Sequence, residues 1–530
     1  MSGEIQHTPR GFLSFFRKTT PDIIADAPYR IEPDRPLPLV CYVKLNSPFP
    51  VTIESVAVKI SRNKHTVLST TPMQQPVTML TREWQRVFII PLPDDMTGLF
   101  TMDVYIRIEY KGKRRTIVNN SFRGLRNVPL EIFRAKDPIP RFKGFHFGDI
   151  HFHNYMSNGA DESDVQFPVA AEVARSVGLD FYGAARHSFN KNNSGNAKEK
   201  DWIHFNKEID LWNSEHDTIV LPAEEISCRN DKGRNVQILA VNGEDFIVGT
   251  GNTPGKILPG KSEHSMAEVL NRIGSNAAAF ALHPVRKKSG ILKMLSRSGK
   301  WRNSDLAVSG LTGLQVHEIL SDQPGNTGLD TWIGLLLKGV KRYIAAGSHA
   351  SGSLNRRYYR RFSHPGSKND TRHIFGYFRT GILSTRPLNK DVIVSCLKKG
   401  LAVVTNGPLL NFVVLNESGS RALLGSEIKG AIFNLKYRAL STEEFGPIRK
   451  VLIYAGDISS HREELIYTFN FHTNSYSGSE EINIEPRSEF GYIRGELWSE
   501  NANGKYFCFT NPVWIRSSLQ PHVQKESVPD

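Results

Sequence analysis

Apolar and polar residues alternate along much of the first quarter of the chain. In "TMDVYIRIEY", alternate positions hold Met102, Val104, Ile106 and Ile108, and the positions between them are mainly polar. Because strand side chains point alternately to opposite faces, this pattern predicts strands with one buried face. Proline-rich connections separate these strands. Residues 25–138 are therefore predicted to form an antiparallel β-sandwich.

The pattern changes at about residue 140, where short apolar segments begin to alternate with amphipathic ones. The segment from Pro168 to Gly178 is predicted to be a helix, because proline is favoured in a first turn and glycine directly after a helix end. Alternating strands and helices over residues 140–408 predict an α/β fold, either a barrel or a doubly wound sheet. Residues 409–518 return to strict alternation, as in "FNLKYRAL", which predicts a second, smaller β-sandwich.

Length and composition add limits to this picture. The chain has 530 residues, too many for a single core, and its hydrophobic fraction of 39% is typical of a soluble globular protein. No apolar run approaches membrane-spanning length. The terminal segments 1–24 and 519–530 are predicted to be tails, the first without the features of a signal peptide. A cytoplasmic location without membrane contact is therefore expected.

The four cysteines lie far apart and form no C-x-x-C pair. This spacing argues against a disulfide framework and against a cysteine-zinc site. The net charge of +14 favours anionic partners. Basic clusters occur as "KGKRR", "RKK" and "RRYYRR". A nucleic acid could bind to such clusters, but no nucleic-acid-binding motif accompanies them.

Histidines concentrate where the predicted strands of the middle region end. In "GDIHFH", His151 and His153 must point the same way, and two imidazoles on one face can bind one transition-metal ion. Further polar side chains end other apolar segments: Arg186, His187, Glu224, Glu225, Gln237, His283 and His349. So many donors at strand ends, from separate segments, favour a metal site over chance placement.

These segments resemble the PHP (polymerase and histidinol phosphatase) superfamily, and within it the CehA/McbA-type metallohydrolases. The similar stretches are "GDIHFH", "GLDF", "HSFN", "LPAEEIS", "RNVQIL", "ALHP" and "WIGLLLKGVKR" in the middle region, with "LAVVTNGPLL" and "FTNPVWI" closer to the end. The resemblance implies a distorted β/α barrel, here flanked by the two β-sandwiches, with metal ions at its mouth. It also implies hydrolysis of phosphate or other ester bonds by metal-activated water.

The resemblance also implies which residues would bind the metal ions. At several of these positions the chain has a different type of side chain from the one usual in the family. His151, His153, Glu225 and His349 would hold one ion, where His349 stands in place of the usual aspartate. A weaker second ion would share Glu225 and use His283. The usual donors are replaced at three further positions: Arg186, Gln237 and Ser351. We therefore expect one well-held ion of zinc, iron or manganese.

Two functions remain open at this level. The first is a metal-dependent hydrolase of an anionic small molecule, a phosphoester or another anionic ester, in which His187 or His283 transfers protons. Arg186 would bind the negative charge of the substrate, with Arg286 and Arg356 lining the same mouth. The second is a catalytically inactive binding protein that recognises an anionic ligand or a nucleic acid. The sequence leaves the substrate and the oligomeric state undetermined.

Overall fold

The structure is a computed structural model of the whole chain. It describes residues 20–45, 48–79, 81–122, 127–153, 166–188, 195–249, 261–284, 299–316, 328–352, 354–355, 373–471, 474–486 and 488–518.

The N-terminal region consists of ten strands in two sheets. They are β1 (Asp22–Asp26), β2 (Arg30–Ile31), β3 (Leu37–Lys44), β4 (Val51–Arg62), β5 (His65–Met73), β6 (Val77–Met79), β7 (Glu83–Ile90), β8 (Gly98–Tyr110), β9 (Lys113–Val118) and β10 (Leu130–Arg134). One sheet has the order β1-β3-β7, and the other has the order β2-β10-β8-β4-β5, with β6 and β9 paired to β4 and β8. The apolar faces of both sheets form one buried cluster, as the alternation in β8 requires.

The middle region mixes strands with helices. Its elements are β11 (Phe145–His153), α1 (Phe167–Ser176), β12 (Phe181–His187), α2 (Gly195–Glu215), β13 (Ile219–Arg229), β14 (Asn235–Val241), α3 (Met266–Arg272), β15 (Ala278–Ala281), α4 (Asn303–Leu306), β16 (Gly313–Gln315), α5 (Gly328–Leu336), β17 (Tyr343–Ala345), β18 (Ala350–Ser351), β19 (Arg379–Leu383), α6 (Lys390–Lys399) and β20 (Ala402–Thr405). The predicted helix after Pro168 is confirmed as α1, with the proline in its first turn.

Local sequence explains where two of these helices start and where one of them ends. Ser265 caps α3, because its side chain accepts the backbone N–H of Glu268 while the Glu268 carboxylate accepts the N–H of Ser265. Asn389 caps α6 in a similar way, and Gly400 ends that helix in the left-handed conformation. These capping signals lie in the sequence itself, so the starts of α3 and α6 and the end of α6 are specified locally.

The C-terminal region is again built from strands. They are β21 (Leu409–Asn416), β22 (Arg421–Ala422), β23 (Glu427–Gly430), β24 (Phe433–Leu440), β25 (Ile448–Asp457), β26 (Arg462–Asn470), β27 (Ser477–Ile484), β28 (Phe490–Asn501), β29 (Gly504–Thr510) and β30 (Val513–Ser517). Four of them form a separate sheet with the order β22-β21-β24-β27.

The remaining C-terminal strands join the middle region in one sheet of 16 strands. Its order is β17-β16-β15-β14-β13-β12-β11-β19-β20-β29-β28-β25-β26, with β18 paired to β11 and β30 paired to β28 and β23. The link between the two regions is the antiparallel pair of β20 and β29, in which Val404 lies opposite Phe509. The predicted domain boundaries stay a prediction. The large sheet, however, contains strands from both sides of the boundary predicted between residues 408 and 409.

The predicted fold class, an α/β fold with a distorted β/α barrel between two β-sandwiches, is wrong. The described part of the chain contains thirty strands and six helices, five of them of ten residues or fewer, so the protein is mainly β. The order of the large sheet is a path from β17 to β26 and not a closed ring. The sequence pattern misled because apolar strands next to helices look alike in parallel and antiparallel sheets, and β13, β14 and β15 pair antiparallel.

The largest buried cluster of apolar side chains contains residues of all three regions. Val40 of β3, Val173 of α1 and Ile515 of β30 all belong to it. No helix within the described ranges combines the length and the hydropathy that crossing a bilayer would need.

Candidate metal centre

Six neighbouring strands each place a polar side chain near one end of the large sheet. Following the order of the sheet, these side chains belong to Gln315 of β16, His283 two residues after β15, Gln237 of β14, Glu225 of β13, His187 of β12, and His151 and His153 of β11. The register aligns them, because His187 lies directly opposite Glu225 in the parallel pair of β12 and β13. His349 joins from the segment between β17 and β18, where its backbone N–H donates to the His151 carbonyl at 2.8 Å.

His151, His153, Glu225 and His349 form a compact group whose ligand atoms all lie within 4.8 Å of one another. The Nε2 atoms of His151 and His153 are 3.1 Å apart. Oε2 of Glu225 lies 3.5, 3.2 and 3.5 Å from Nε2 of His151, His153 and His349. These four residues could hold a metal ion.

The spacing of these donors agrees with a metal coordination shell. Ligands about 2.0–2.1 Å from a tetrahedral zinc ion lie roughly 3.3–3.4 Å from one another. The contacts of Glu225 Oε2 are too long or too poorly aligned to count as hydrogen bonds, although this atom is buried. A buried carboxylate oxygen surrounded by imidazole nitrogens without good hydrogen bonds is costly unless a cation is shared between them. The residues present therefore fit a transition-metal ion.

The protonation of the histidines also suits a metal. Burial lowers the pKa of both His151 and His153 to about 4, so both rings are neutral at physiological pH and offer a lone pair. Burial alone would raise the pKa of Glu225, but the charge of His187 and the close imidazole nitrogens of the cluster hold that pKa well below its usual range. The carboxylate is thus ionised beside two neutral imidazoles, those of His151 and His153.

Backbone strain marks two of the histidines. His283 and His349 both have a φ of 50°, in the left-handed region that non-glycine residues seldom occupy. Their rings lie 5.1 Å apart, centroid to centroid. Such strain costs about 1–3 kcal/mol and persists where the surrounding structure enforces it, commonly at functional sites. Strain at two site histidines is a signal that the sequence does not carry.

Asp149 holds the segments that carry His151 and His349 together. Its Oδ1 accepts the backbone N–H groups of His151 at 3.1 Å and Ser348 at 2.9 Å, and its Oδ2 accepts that of Gly376 at 3.0 Å. Burial raises the pKa of this carboxyl to about 6, against the effect of these hydrogen bonds. Asp149 is therefore a structural element of the site that the sequence interpretation passed over.

Gly347 explains how the chain fits so closely around His151. A Cβ atom at this position would lie 2.7 Å from both the Cβ and the backbone nitrogen of His151. Any larger residue would therefore push the segment of His349 away from β11. The requirement for glycine is steric, because its φ is not in the left-handed region.

Two further residues near the cluster were not predicted. Gln315 accepts a hydrogen bond from Nδ1 of His151 at 2.7 Å. His373 lies with its ring 6.1 Å from that of His349, and its Nδ1 is 3.2 Å from the carbonyl oxygen of Ser348. A hydrogen bond between residues 164 positions apart leaves no local trace in the sequence.

The other predicted site residues are placed as follows. His187 stacks on His153 at 4.2 Å, and its Nδ1 lies 3.6 Å from Oε2 of Glu225. Gln237 donates its Nε2–H to the other carboxylate oxygen, Oε1. Arg286, Arg356 and the side chain of Ser351 fall outside the described parts of the chain.

Arg186 does not join the cluster. It precedes His187 in β12 and so points to the opposite face, where its guanidinium carbon lies 3.9 Å above the ring centroid of Phe205 in α2. Burial lowers the pKa of Arg186 to about 10, against the attraction of Asp201, Glu208 and Glu224. The structure therefore separates Arg186 from the histidines with which it was grouped.

Comparison with known proteins leaves the family open. No family model matches the chain, and no curated protein matches it. A sporulation control protein of Bacillus subtilis matches with a TM-score of 0.16 and 15% identity over 22% of this chain and 50% of that one. β-Glucuronidase 2 of Bacteroides uniformis matches with a TM-score of 0.20 and 10% identity over 94% of this chain and 61% of that one.

A glycosyl hydrolase family 2 member from Bacteroides cellulosilyticus matches similarly, with a TM-score of 0.17 and 10% identity over 94% of this chain and 63% of that one. This chain thus spans between half and about two-thirds of the length of these proteins. Likenesses at these scores support neither a fold family nor a function.

Proposed function

We propose that this protein is a metal-dependent hydrolase that acts on a phosphoester or another anionic ester. One ion of zinc, iron or manganese would be held by His151, His153, Glu225 and His349. The observation that carries this proposal is the position of Glu225 Oε2, which lies 3.2–3.5 Å from three imidazole nitrogens in a buried site. Three nitrogen ligands and one carboxylate suit these borderline metals better than calcium or magnesium.

A metal ion bound by these residues would lower the pKa of a coordinated water and supply hydroxide near neutral pH. The resemblance of the histidine and glutamate motifs to those of the PHP superfamily supports the same chemistry. From that resemblance we retain the ligand residues and the reaction class. The barrel that it implied is not part of the proposal.

His187 is the residue best placed to transfer protons. It exposes 29% of its side chain, whereas His151 is fully buried. Its Nδ1 faces Glu225, so its Nε2 lies on the far side of the ring and is the atom that would exchange a proton with a substrate. Among the four cluster residues, His349 has the most exposed side chain, at 14%. A substrate would approach the cluster from this side.

The role of Arg186 as a substrate clamp is not part of this proposal, because its side chain lies on the opposite face of β12. Arg286 and Arg356 remain candidates for binding the anionic part of the substrate, on the strength of the sequence alone. A divalent ion would itself attract the negative charge of an ester, so the site does not depend on an arginine for this task.

The first test is the metal content of the untagged protein, purified without chelators and analysed by plasma mass spectrometry. We expect close to one zinc, iron or manganese ion per chain, and a much lower content in Glu225→Gln, which keeps the shape but removes the charge. Activity is then measured with p-nitrophenyl phosphate, bis(p-nitrophenyl) phosphate and p-nitrophenyl acetate. A chain that binds no metal after incubation with these ions would instead be the inactive binding protein.

A further inference from the structure

The two oxygens of the Glu225 carboxylate have different surroundings. Oε2 faces the imidazole nitrogens of the cluster. Oε1 accepts a hydrogen bond from Nε2 of Gln237. An ionised carboxylate has only acceptors, so the amide must turn its N–H₂ group towards it, and the orientation of Gln237 is therefore fixed by chemistry.

The backbone holds Gln237 in this position. β14 pairs antiparallel with β13, with Gln237 opposite Ser227 and Leu239 opposite Glu225, so the two side chains are diagonal neighbours on one face. On the other side of β14, the N–H of Leu282 donates to the carbonyl of Gln237 at 3.0 Å. The amide thus comes from a central strand that is hydrogen-bonded along both edges.

A carboxylate that bridges two metal ions commonly uses one oxygen for each. Here the amide N–H occupies Oε1, and only Oε2 is directed at the cluster. We infer that Gln237 restricts the centre to a single ion by holding Oε1 of Glu225. This inference rests on the proposed function, because it concerns the same metal site.

Charge acts in the same direction. The group that could hold an ion contains one carboxylate and three imidazoles, and Gln237 contributes no negative charge. Two divalent cations a few ångströms apart would repel each other strongly with so little compensation. A neutral amide at this position therefore both occupies the second oxygen and withholds the charge that a second ion would need.

The test is the number of zinc ions bound per chain after equilibrium dialysis against zinc chloride, measured by plasma mass spectrometry. We expect one ion in the wild type and two in Gln237→Glu, which replaces the donor with a second pair of carboxylate oxygens. Gln74→Glu is the matched control, since it makes the same substitution at an exposed position between β5 and β6 of the N-terminal region, and we expect it to bind one ion.

Gln237→Met covers the case in which Gln237→Glu fails to fold, which circular dichroism would show. It frees Oε1 without adding charge, so we expect a second, weaker zinc ion at high zinc concentration. The inference is overturned if the wild type binds two ions, if both Gln237 variants bind one, or if Gln74→Glu also binds two. A wild type that binds no zinc overturns the proposed function, and the inference with it.

Discussion

Nδ1 of His151 lies 2.7 Å from Oε1 of Gln315, and Nε2 of Gln315 donates to the carbonyl oxygen of Gly347 at 3.1 Å. The second bond fixes which end of the amide faces His151. The imidazole must therefore donate from Nδ1, which leaves the lone pair on Nε2, the atom that faces His153 and Glu225. One glutamine thus determines the tautomer of the most buried histidine in the cluster.

Replacing Gln315 with leucine should weaken metal binding while leaving the ligands in place. Partners of this kind typically contribute 10–100-fold in metal affinity, because they orient the ligand ring and fix its tautomer. Zinc affinity is measured by competition with a chromophoric chelator. A cobalt-loaded sample provides a second readout, since its visible spectrum reports ligand geometry. Unchanged affinity together with an unchanged spectrum would rule out this positioning role.

The double variant of His151 and His153 to alanine should lose its metal and also some stability. Our sequence interpretation placed both residues at an open mouth, but His151 is fully buried and His153 nearly so. Truncating them leaves cavities, and large-to-small changes in cores commonly cost about 2–5 kcal/mol. Urea denaturation of metal-free wild type and variant measures the difference. Retention of metal by a folded double variant would refute the site assignment.

Metal retention should depend on pH in a way that reflects the buried histidines. A ligand imidazole must be neutral, and burial lowers the pKa of His151 and His153 to about 4 from an ordinary value near 6.5. The metal should therefore stay bound through pH 6 and be released only as the pH approaches about 4. Metal content after dialysis at stepped pH values tests this. Release with a midpoint near 6.5 would show that the rings titrate as exposed histidines do.

The same shifts affect the stability of the metal-free protein. Between about pH 6.5 and 4 the unfolded chain takes up protons on these two histidines that the folded chain does not, so stability should fall as the pH falls through this window. Asp149 acts with the opposite sign. Its pKa is raised to about 6, so its contribution is complete below about 3.9 and is lost as the pH rises through 6.

Replacing His349 with glycine should remove a ligand but relieve backbone strain. Its φ of 50° suits glycine, and the relief of about 1–3 kcal/mol exceeds the roughly 0.4–1 kcal/mol that the extra freedom of glycine costs. Truncating this largely buried ring also costs stability, so metal-free His349→Gly should be more stable than His349→Ala, in which the strain remains, while the metal content of both falls. Lys64→Gly is the matched control, because Lys64 has a φ of 70° in an exposed turn of the N-terminal region. It should leave metal binding unchanged.

Arg186→Met should leave the metal content unchanged. The guanidinium packs on Phe205 and points away from His187, so its removal changes neither the ligands nor their nearest charges. Methionine keeps much of the aliphatic contact with the ring. Metal analysis and catalytic assay of the variant are compared with the wild type. A marked loss of metal would show that Arg186 acts on the cluster after all.

Much of the candidate site follows from the sequence, because strand periodicity and strand ends are local signals. The spacing of His151 and His153 placed both rings on one face. Glu225 and His187, which were both predicted to lie at strand ends, are opposite each other in neighbouring strands. The positions of Gln315 and His373 could not be obtained in this way. Each depends on segments far apart in the chain meeting in space, and a single sequence does not encode such meetings locally.

The fold was less predictable than the site. Helix ends such as Ser265 and Gly400 follow from capping chemistry, and the strands of the N-terminal region follow from alternation. Strand order does not, because hydrogen bonds between strands involve the backbone, which is the same for every residue. The pairing of β20 with β29 therefore had no signal in side-chain pattern.

That pairing has a consequence for how the protein can be divided. Removing the chain after residue 408 would leave Val403, Val404 and Thr405 without the strand that contains Phe509 and Cys508, and would open an apolar edge in the middle of the largest sheet. The two partners are about a hundred residues apart, so about a hundred further residues must be synthesised after β20 before this pair can form. The residues of the histidine cluster all precede residue 350. The sheet that supports them is nevertheless complete only after β29 has been synthesised.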